Sequence, residues 1–360
     1  MGGLVGEGLR ETFRGERVLV TGSTGFKGSW LSCWLDLLGA EVHGFALRPE
    51  RGEDLFSAAG LEGRIHQEYG DIRDYARIHA FVKAVKPAFV FHLAAQPLVR
   101  RSYEEPKLTV DTNVGGSLNV LEAIRESPGI RALVYVTSDK CYLNQEWCWG
   151  YRENDVLGGK DPYSASKAAA EIIFGAYSSS FFDDRREFGA ASARAGNVMG
   201  GGDWSPGRIV PDCIRALKKE DPIRLRQPDA TRPWQHVLEP LAGYLILAQR
   251  LKDDPGRFHG SYNFGPDEAT MKTVRELAEA IIREWGRGSI EIGEKEKRFS
   301  EAGLLHLNSD KARQMLGWCP KWDFEETVEK TVAWYGQYLK GADPLGLTRT
   351  QIQDYMERWR

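Results

Sequence analysis

The stretch RVLVTGSTGFKGSWLSCWLDLL, residues 17–38, decides the fold. Arg17 to Thr21 is a short β-branched run of strand type, and Ser29 to Leu38 repeats apolar residues at helical spacing and stops before Gly39. Between them lie Gly22, Gly25 and Gly28, so the order is strand, glycine turn, helix. Glycines let the backbone turn tightly and approach a pyrophosphate, whose charge then sits against a helix N-terminus. The spacing is G-x-x-G-x-x-G rather than G-x-G-x-x-G, and its setting between a strand and a helix predicts dinucleotide binding. Gly22, Gly25, Phe26, Lys27 and Gly28 are the first cofactor candidates.

Working outward, Glu41 to Leu47 reads as the second strand, whose C-terminal end selects the ribose. An acidic residue there bonds a 2′-hydroxyl, but the chain has Ala46-Leu47-Arg48, which leaves NAD and NADP both open. Arg48 meets a 2′-phosphate, stacks beside an adenine, or is a solvated loop residue. Ile65 to Gly70 reads as a third strand, followed by Asp71 and Ile72, with Asp71 a candidate acceptor for the adenine amino group. Residues 74–86 form a helical pattern that stops before Pro87. Phe89 to Leu93 is a continuous apolar run typical of a strand buried on both faces. The small residues Ala94 and Ala95, with Gln96, follow where a cofactor backbone passes closely. A helix from Val110 to Ser127 carries Asn113 near its start, and Ala132 to Thr137 is the next strand. Five alternations of strand and helix predict a doubly wound parallel α/β sheet with right-handed crossovers.

The chain has 360 residues, enough for two domains or one elaborated domain. The expected division is a Rossmann domain over 1–196 plus about 235–265, and a smaller α/β substrate-binding domain over 197–234 and 266–360. Residues 1–16, rich in glycine and charge, read as a loose lead-in with at most a short helical turn. A net charge of -3 with interspersed signs gives no case for a nucleic-acid surface. No apolar run has the length of a membrane span or a signal-peptide core, so the expectation is a soluble cytoplasmic protein. The five cysteines are scattered, without C-x-x-C, and predict neither disulfides nor a metal site. Cys141 as a nucleophile lacks a neighbouring histidine base in the sequence.

Chemistry concentrates between Tyr135 and Lys167, where Ser138, Asp139 and Lys140 follow a strand and Tyr163 and Lys167 open a helix. Residues four apart share a helix face. A phenol near pKa 10 is a poor base at neutral pH, and an ammonium beside it favours phenolate. Alone, Tyr-x-x-x-Lys is far more often an ordinary exposed pair than a functional one. Beyond a further strand at Phe188 to Ala193, the glycine- and tryptophan-rich loops Gly200–Trp204 and Thr231–His236 flank a helix at Ile209 to Lys219 and are longer than connectors need. A helix at Leu238 to Leu251 and a strand at Ser261 to Phe264 return to the sheet, and residues 266–360 alternate charged helices with short strands.

Through the glycine turn and Tyr163-x-x-x-Lys167, the chain from Arg17 to about Trp334 resembles the extended short-chain dehydrogenase/reductase superfamily. Within it, Thr137-Ser138-Asp139-Lys140, Asn144–Trp147, Trp149–Arg152, Leu157–Gly159, Gly196–Trp204 and Arg232–His236 are similar to the CDP-glucose 4,6-dehydratase family. The resemblance implies bound NAD and a nucleotide-sugar substrate. Its reaction oxidises the sugar C4 hydroxyl, eliminates water across C5 and C6, and returns the hydride to C6, in deoxysugar biosynthesis. It makes Tyr163 the phenolate that takes the C4 hydroxyl proton, with Lys167 lowering its pKa and bonding the nicotinamide ribose. Ser138 holds the C4 oxygen, and Asp139 protonates the departing C6 hydroxyl.

Lys140 stands where the related dTDP-glucose enzymes have Glu, the base at C5. A neutral lysine can do that work once C4 is a ketone; the alternative is that Lys140 only pairs with Asp139. Asp139 must carry a proton to act as an acid, and a charged lysine beside it pushes the other way. The resemblance makes Arg208 and Arg232 the diphosphate cations, with Asn197 and Gln96 further substrate contacts; Trp204 and Trp234 either stack on the base or fill the lobe. The cofactor set extends to Arg48, Asp71, Ile72, Leu93, Ala94, Ala95, Gln96 and Asn113. A homodimer through the helices beginning near Val110 and Tyr163 is implied, with a tetramer as the alternative. A 4-epimerase or decarboxylase of the same fold has no use for Asp139 and Lys140. A dinucleotide-sensing protein without turnover has no use for Tyr163 and Lys167.

Overall fold

The computed structural model describes residues 5–267, 271–293 and 304–359. The first strand, β1 (Arg17–Thr21), is followed by helix α2 (Phe26–Leu38), and α1 (Val5–Phe13) precedes both. The remaining sheet strands are β2 (Glu41–Ala46), β3 (His66–Tyr69), β4 (Phe89–His92), β5 (Ala132–Val136), β6 (Gly189–Ala195) and a last one at Gly260–Phe264. All pairs are parallel, in the order Gly260–Phe264, β6, β5, β4, β1, β2, β3. The chain runs outward from β1 through β2 to β3, then returns to β4 on the other side of β1. The expected doubly wound α/β sheet is the one observed.

The central strands β1, β4 and β5 bury both faces, as their apolar runs require, whereas the edge strand β3 is polar and partly exposed. Val18, Val20, Phe89, Phe91 and Val134 face one core with α1, α2 and the Leu238–Asp253 helix. Leu19, Val90, Leu133 and Tyr135 face the other core, with the helices Tyr75–Val85 and Ser117–Arg125 and with Phe174 of the helix that begins at Pro162. Alternate residues of one strand therefore belong to different cores, the two-residue period of a pleated strand.

Two expectations need correction. The lead-in is not loose: α1 buries Leu9 and Phe13, and Gln249 ties it down by donating to Gly8 O at 3.0 Å and to Thr12 Oγ1 at 2.9 Å. Its first four residues lie outside the described residues, as do 268–270, 294–303 and the last residue. The helix expected from Val110 to Ser127 is divided into Pro106–Val110, a π-helical turn over Asp111–Gly116, and Ser117–Arg125. The turn holds Asn113, whose side chain is drawn into the β4 loop. Other boundaries shift by one to three residues; α2 starts at Phe26, inside the glycine turn, rather than at Ser29.

The C-terminal part joins the sheet through a buried carboxylate. Glu239 accepts from Lys321 N at 3.1 Å, Trp322 N at 2.8 Å and the Tyr355 hydroxyl at 2.5 Å, while its own carbonyl accepts from Trp318 Nε1. Burial pushes its pKa up to about 7, against those bonds. Short strand pairs, Val198–Met199 with Gln235–His236 and Thr231–Pro233 with Met271–Thr273, lay the two long loops over the sheet's C-terminal edge. No helix among the described residues is long and apolar enough to cross a membrane.

Phe13 is fully buried, its ring 4.9 Å from that of Phe89. Replacing a buried Phe by Ala costs about 3–5 kcal/mol. Phe13→Ala is expected to lower the urea midpoint of unfolding by that much stability; an unchanged midpoint would show that the first helix is dispensable to the core.

Candidate active site

The glycine turn lies between the C-terminal ends of β1 and β4, where the strand order reverses and open α/β sheets bind their ligands. Gly22 has φ 74°, and a Cβ there would stand 2.8 Å from Ala94 N. A Cβ on Gly28 would stand 2.0 Å from Gly22 O. Both positions admit only glycine, the first by conformation and the second by close approach. Gly25 caps α2 with no side-chain bond, so the first N–H groups of the helix are left for an anion. A turn closed this tightly, with a helix N-terminus aimed across it, fits a pyrophosphate.

Around this cradle the buried polar groups form two hydrogen-bonded sets. Thr21 Oγ1 and His92 Nδ1 are 2.7 Å apart, and His92 Nε2 meets Ser117 Oγ at 2.9 Å. Burial, with Lys167 second, pushes His92 down to about 3, so the ring is neutral. Asn113 accepts from Gln96 N at 2.7 Å and donates to Gln96 O and to Ser166 Oγ, which in turn donates to Tyr163 O at 2.7 Å. Asn113 thus ties the β4 loop to the helix that carries Tyr163. The Gln96 amide is taken up locally, donating to Leu98 O and Thr109 Oγ1 and accepting from Leu98 N. Leu93, Ala94 and Ala95 line the same edge and are half-buried. Ile72 packs under Gly116, and the Asp71 carboxylate takes its bonds from Arg73, the Nε at 3.0 Å. Arg48 is exposed, its guanidinium 4.1 Å from the centre of the Tyr69 ring.

Beyond β5 the chain makes a 3-10 turn, Asp139–Cys141, capped by Ser138. The Ser138 hydroxyl donates to Asp139 Oδ1 at 2.8 Å and accepts from Lys140 N at 3.2 Å. Tyr163 and Lys167 face this turn from the helix Pro162–Tyr177, started by Pro162 and by Asp161, which accepts from Ser164 N at 2.9 Å. Ser138, Asp139, Tyr163 and Lys167 are all nearly buried. Burial pushes the Tyr163 phenol up to about 12; the Ser138 hydroxyl pulls it down, Asp139 raises it and Arg208 lowers it. Burial pushes Lys167 down to about 8 against the pull of Glu171. The phenol is therefore held back by desolvation, and Ser138 and Arg208 are among the groups that oppose it.

Lys27 joins this cluster. Its ammonium lies 3.5 Å from the Tyr244 hydroxyl, and burial pushes it down to about 8, with Asp139 opposing and Arg208 and Lys167 adding to the fall. The sequence places Lys27 only in the glycine turn; the sheet brings it opposite Asp139. Arg208 pairs with Asp203 at 2.8 Å and faces Tyr163. Asn197 follows the end of β6 and is half-buried, and Arg232 is buried, donating to Thr231 O at 2.8 Å. Trp204 and Trp234 lie in the main core, Trp204 edge-on to Tyr335 and Trp234 donating to Lys272 O. Cys141 is fully buried and its thiol is pushed well above the ordinary range, which leaves no thiolate for nucleophilic attack.

Glu171 and Arg194 were not marked by sequence reasoning. Glu171 accepts from Ser192 Oγ at 2.8 Å and Arg194 at 2.7 Å, and bonds Thr137 Oγ1 beside Ser138. The available signal was spacing: Glu171 follows Lys167 by four, as Lys167 follows Tyr163.

Residues 19–331 match the family described as GDP-mannose 4,6 dehydratase. The chain is 44% identical over 348 residues to the CDP-glucose 4,6-dehydratase of Salmonella typhimurium, covering 96% of this chain and 97% of that protein. An epimerase structure from Methanothermobacter thermautotrophicus superposes with a TM-score of 0.79 at 23% identity, covering 96% of this chain and 98% of that one, and bears on the fold alone. The Thermus thermophilus UDP-glucose 4-epimerase, solved as a complex with NAD, superposes with a TM-score of 0.75 at 27% identity, covering 91% and 99%. With its parallel sheet, glycine cradle and Tyr163–Lys167 helix, the chain belongs to the nucleotide-sugar epimerase and dehydratase family.

Proposed function

We propose that the protein converts CDP-glucose to CDP-4-dehydro-6-deoxyglucose with NAD as its resident cofactor. The observation that carries the reading is the Ser138–Asp139–Lys140 turn facing Tyr163, an acid–base set that an epimerase does not need. The 44% identity to a CDP-glucose 4,6-dehydratase over nearly the whole chain supports the choice of substrate.

The cradle of Gly22, Gly25 and Gly28 with the α2 N-terminus would hold the pyrophosphate, and Lys167 the nicotinamide ribose. Bound there, NAD would supply the hydride acceptor for C4 and the hydride donor for C6. The chain's own residues do the rest. Tyr163 takes the C4 hydroxyl proton, Ser138 holds the C4 oxygen, Lys140 removes the proton from C5, and Asp139 protonates the C6 oxygen as it leaves. Arg208 and Arg232 neutralise the substrate diphosphate, Arg208 exchanging Asp203 for phosphate oxygens. The division of labour proposed for the chain puts the cofactor in 1–196 with 235–265 and the nucleotide sugar in 197–234 with 266–360. Two copies associate through the helices near Val110 and Tyr163, a reading supported by the exposed Val110, Ile172 and Phe181 on that side.

Offered the CDP-, dTDP-, GDP- and UDP-glucoses side by side, the enzyme is expected to turn over CDP-glucose best and give the alkali-induced absorbance of a 4-keto-6-deoxy sugar. No keto product, or a C4 epimer, contradicts the proposal. Lys140→Ala is expected to oxidise C4 still but to lose exchange of the C5 hydrogen with solvent and about 100-fold or more in turnover. Unchanged C5 exchange removes Lys140 from the mechanism.

A further inference from the structure

At the opposite end of the sheet from the glycine turn, three metal-ligating side chains meet. Glu41 and His43 lie two apart at the start of β2, so they point to one face, and His66 opens β3, where it pairs in register with His43. The pleat and the parallel register together bring the three to one side. His43 Nε2 stands 2.9 Å from Glu41 Oε1, and His66 Nε2 stands 3.9 Å from the same oxygen. The two imidazoles stack, with ring centres 4.7 Å apart and planes inclined by 22°. One ligand atom from each residue lies within 4.8 Å of the other two.

Imidazole nitrogen and carboxylate oxygen bind zinc at about 2.0–2.2 Å, which sets neighbouring ligand atoms of a tetrahedral ion about 3.3 Å apart. The 2.9 Å pair would open slightly to reach that spacing and the 3.9 Å pair would close. Two stacked rings cannot both hold one ion in their planes, so one of them has to turn. His66 can do so, because its side chain is 68% exposed and the χ2 torsion of a histidine has a broad well. His43, 12% exposed, is the fixed member, and the exposure of Glu41 and His66 leaves the remaining position to water. Magnesium and calcium take oxygen ligands, whereas a pair of imidazoles suits zinc, copper, nickel or cobalt. We propose that Glu41, His43 and His66 form a binding site for a divalent transition-metal ion, which clamps the edge strand β3 to β2.

The clamp acts where the sheet is least supported. β3 has four residues and a strand neighbour on one side only. Its second residue, Gln67, accepts from Ser23 Oγ of the glycine turn at 2.7 Å, so an edge held at His66 also steadies the cofactor cradle. The cation beside the three ligands is Arg17, in register with Glu41 on β1, and its Nε is taken by Lys86 O at 3.1 Å. Binding the ion displaces the hydrogen bond between His43 and Glu41 and breaks no contact of the core.

Cobalt is the probe, because its visible bands report the ligand set. The full chain, free of any polyhistidine tag and stripped with EDTA, is titrated with Co2+. The bands should saturate at one equivalent, without the sulfur-to-metal charge transfer that a cysteine ligand gives, and Zn2+ should displace them. His66→Ala and Glu41→Gln, both at exposed positions, should each weaken binding by about 10-fold or more, since even the outer partners of a metal ligand are worth about 10- to 100-fold in affinity. In hydrogen exchange, Zn2+ should slow the amides of residues 66–69 in the wild type and leave those of His66→Ala unchanged. No band at one equivalent, a thiolate band, or equal affinity in the wild type and both variants overturns the site. Binding without protection of residues 66–69 overturns the clamp.

Discussion

Glu171 and Arg194 meet at 2.7 Å with almost no exposure, and the arrangement of the site depends on that pair. Arg194 lies on β6 and Glu171 on the helix that carries Tyr163 and Lys167, so the bond fixes the helix against the sheet. The same carboxylate takes Thr137, the residue before Ser138, and Ser192. The guanidinium also reaches the Tyr142 hydroxyl at 2.7 Å and Glu153 O at 2.9 Å, holding the chain just beyond the Asp139 turn. Removing one partner of a buried ion pair costs about 3–5 kcal/mol, since the other charge is left without compensation. Here the loss would fall on the placement of the phenol against the acid, where small displacements are costly to catalysis.

A second constraint is the concentration of cations at the sheet's C-terminal edge. Lys27 faces Asp139, Arg208 faces Tyr163 and Lys167 lies close enough to lower the pKa of Lys27, and burial pushes both lysines down to about 8. Lys27 also stands in the first turn of α2, where the helix dipole disfavours a cation. Such a cluster is tolerable where anions are to be bound, and the proposed ligands are two diphosphates. Tyr163, raised to about 12 by burial, needs those charges to work as a base.

Much of this was legible in the sequence because it is local. The strand–glycine–helix stretch at 17–38 and the alternation of apolar runs require no knowledge of distant contacts, and Tyr163 and Lys167 declare themselves by one helical turn. Helix α1 was missed because its glycines and charges hide two residues, Leu9 and Phe13, whose burial depends on α2, β4 and the Leu238–Asp253 helix. The π-helical turn at Asn113 was missed because its cause is a pair of hydrogen bonds to Gln96, seventeen residues away. Lys27 read as part of a phosphate turn; only the sheet order, which sets β1 two strands from β5, shows that it faces Asp139. Trp204 and Trp234 illustrate the opposite case, conspicuous in sequence and placed by the fold in the core.

The central claim is that one site removes hydrogen from C4, expels water across C5 and C6, and returns the same hydrogen to C6. CDP-glucose carrying deuterium at C4 tests it most directly, with the product read by NMR and mass spectrometry. The account predicts a 4-keto-6-deoxy product with the deuterium in its C6 methyl group. Deuterium retained at C4, or absent from the methyl group of the product, would contradict it.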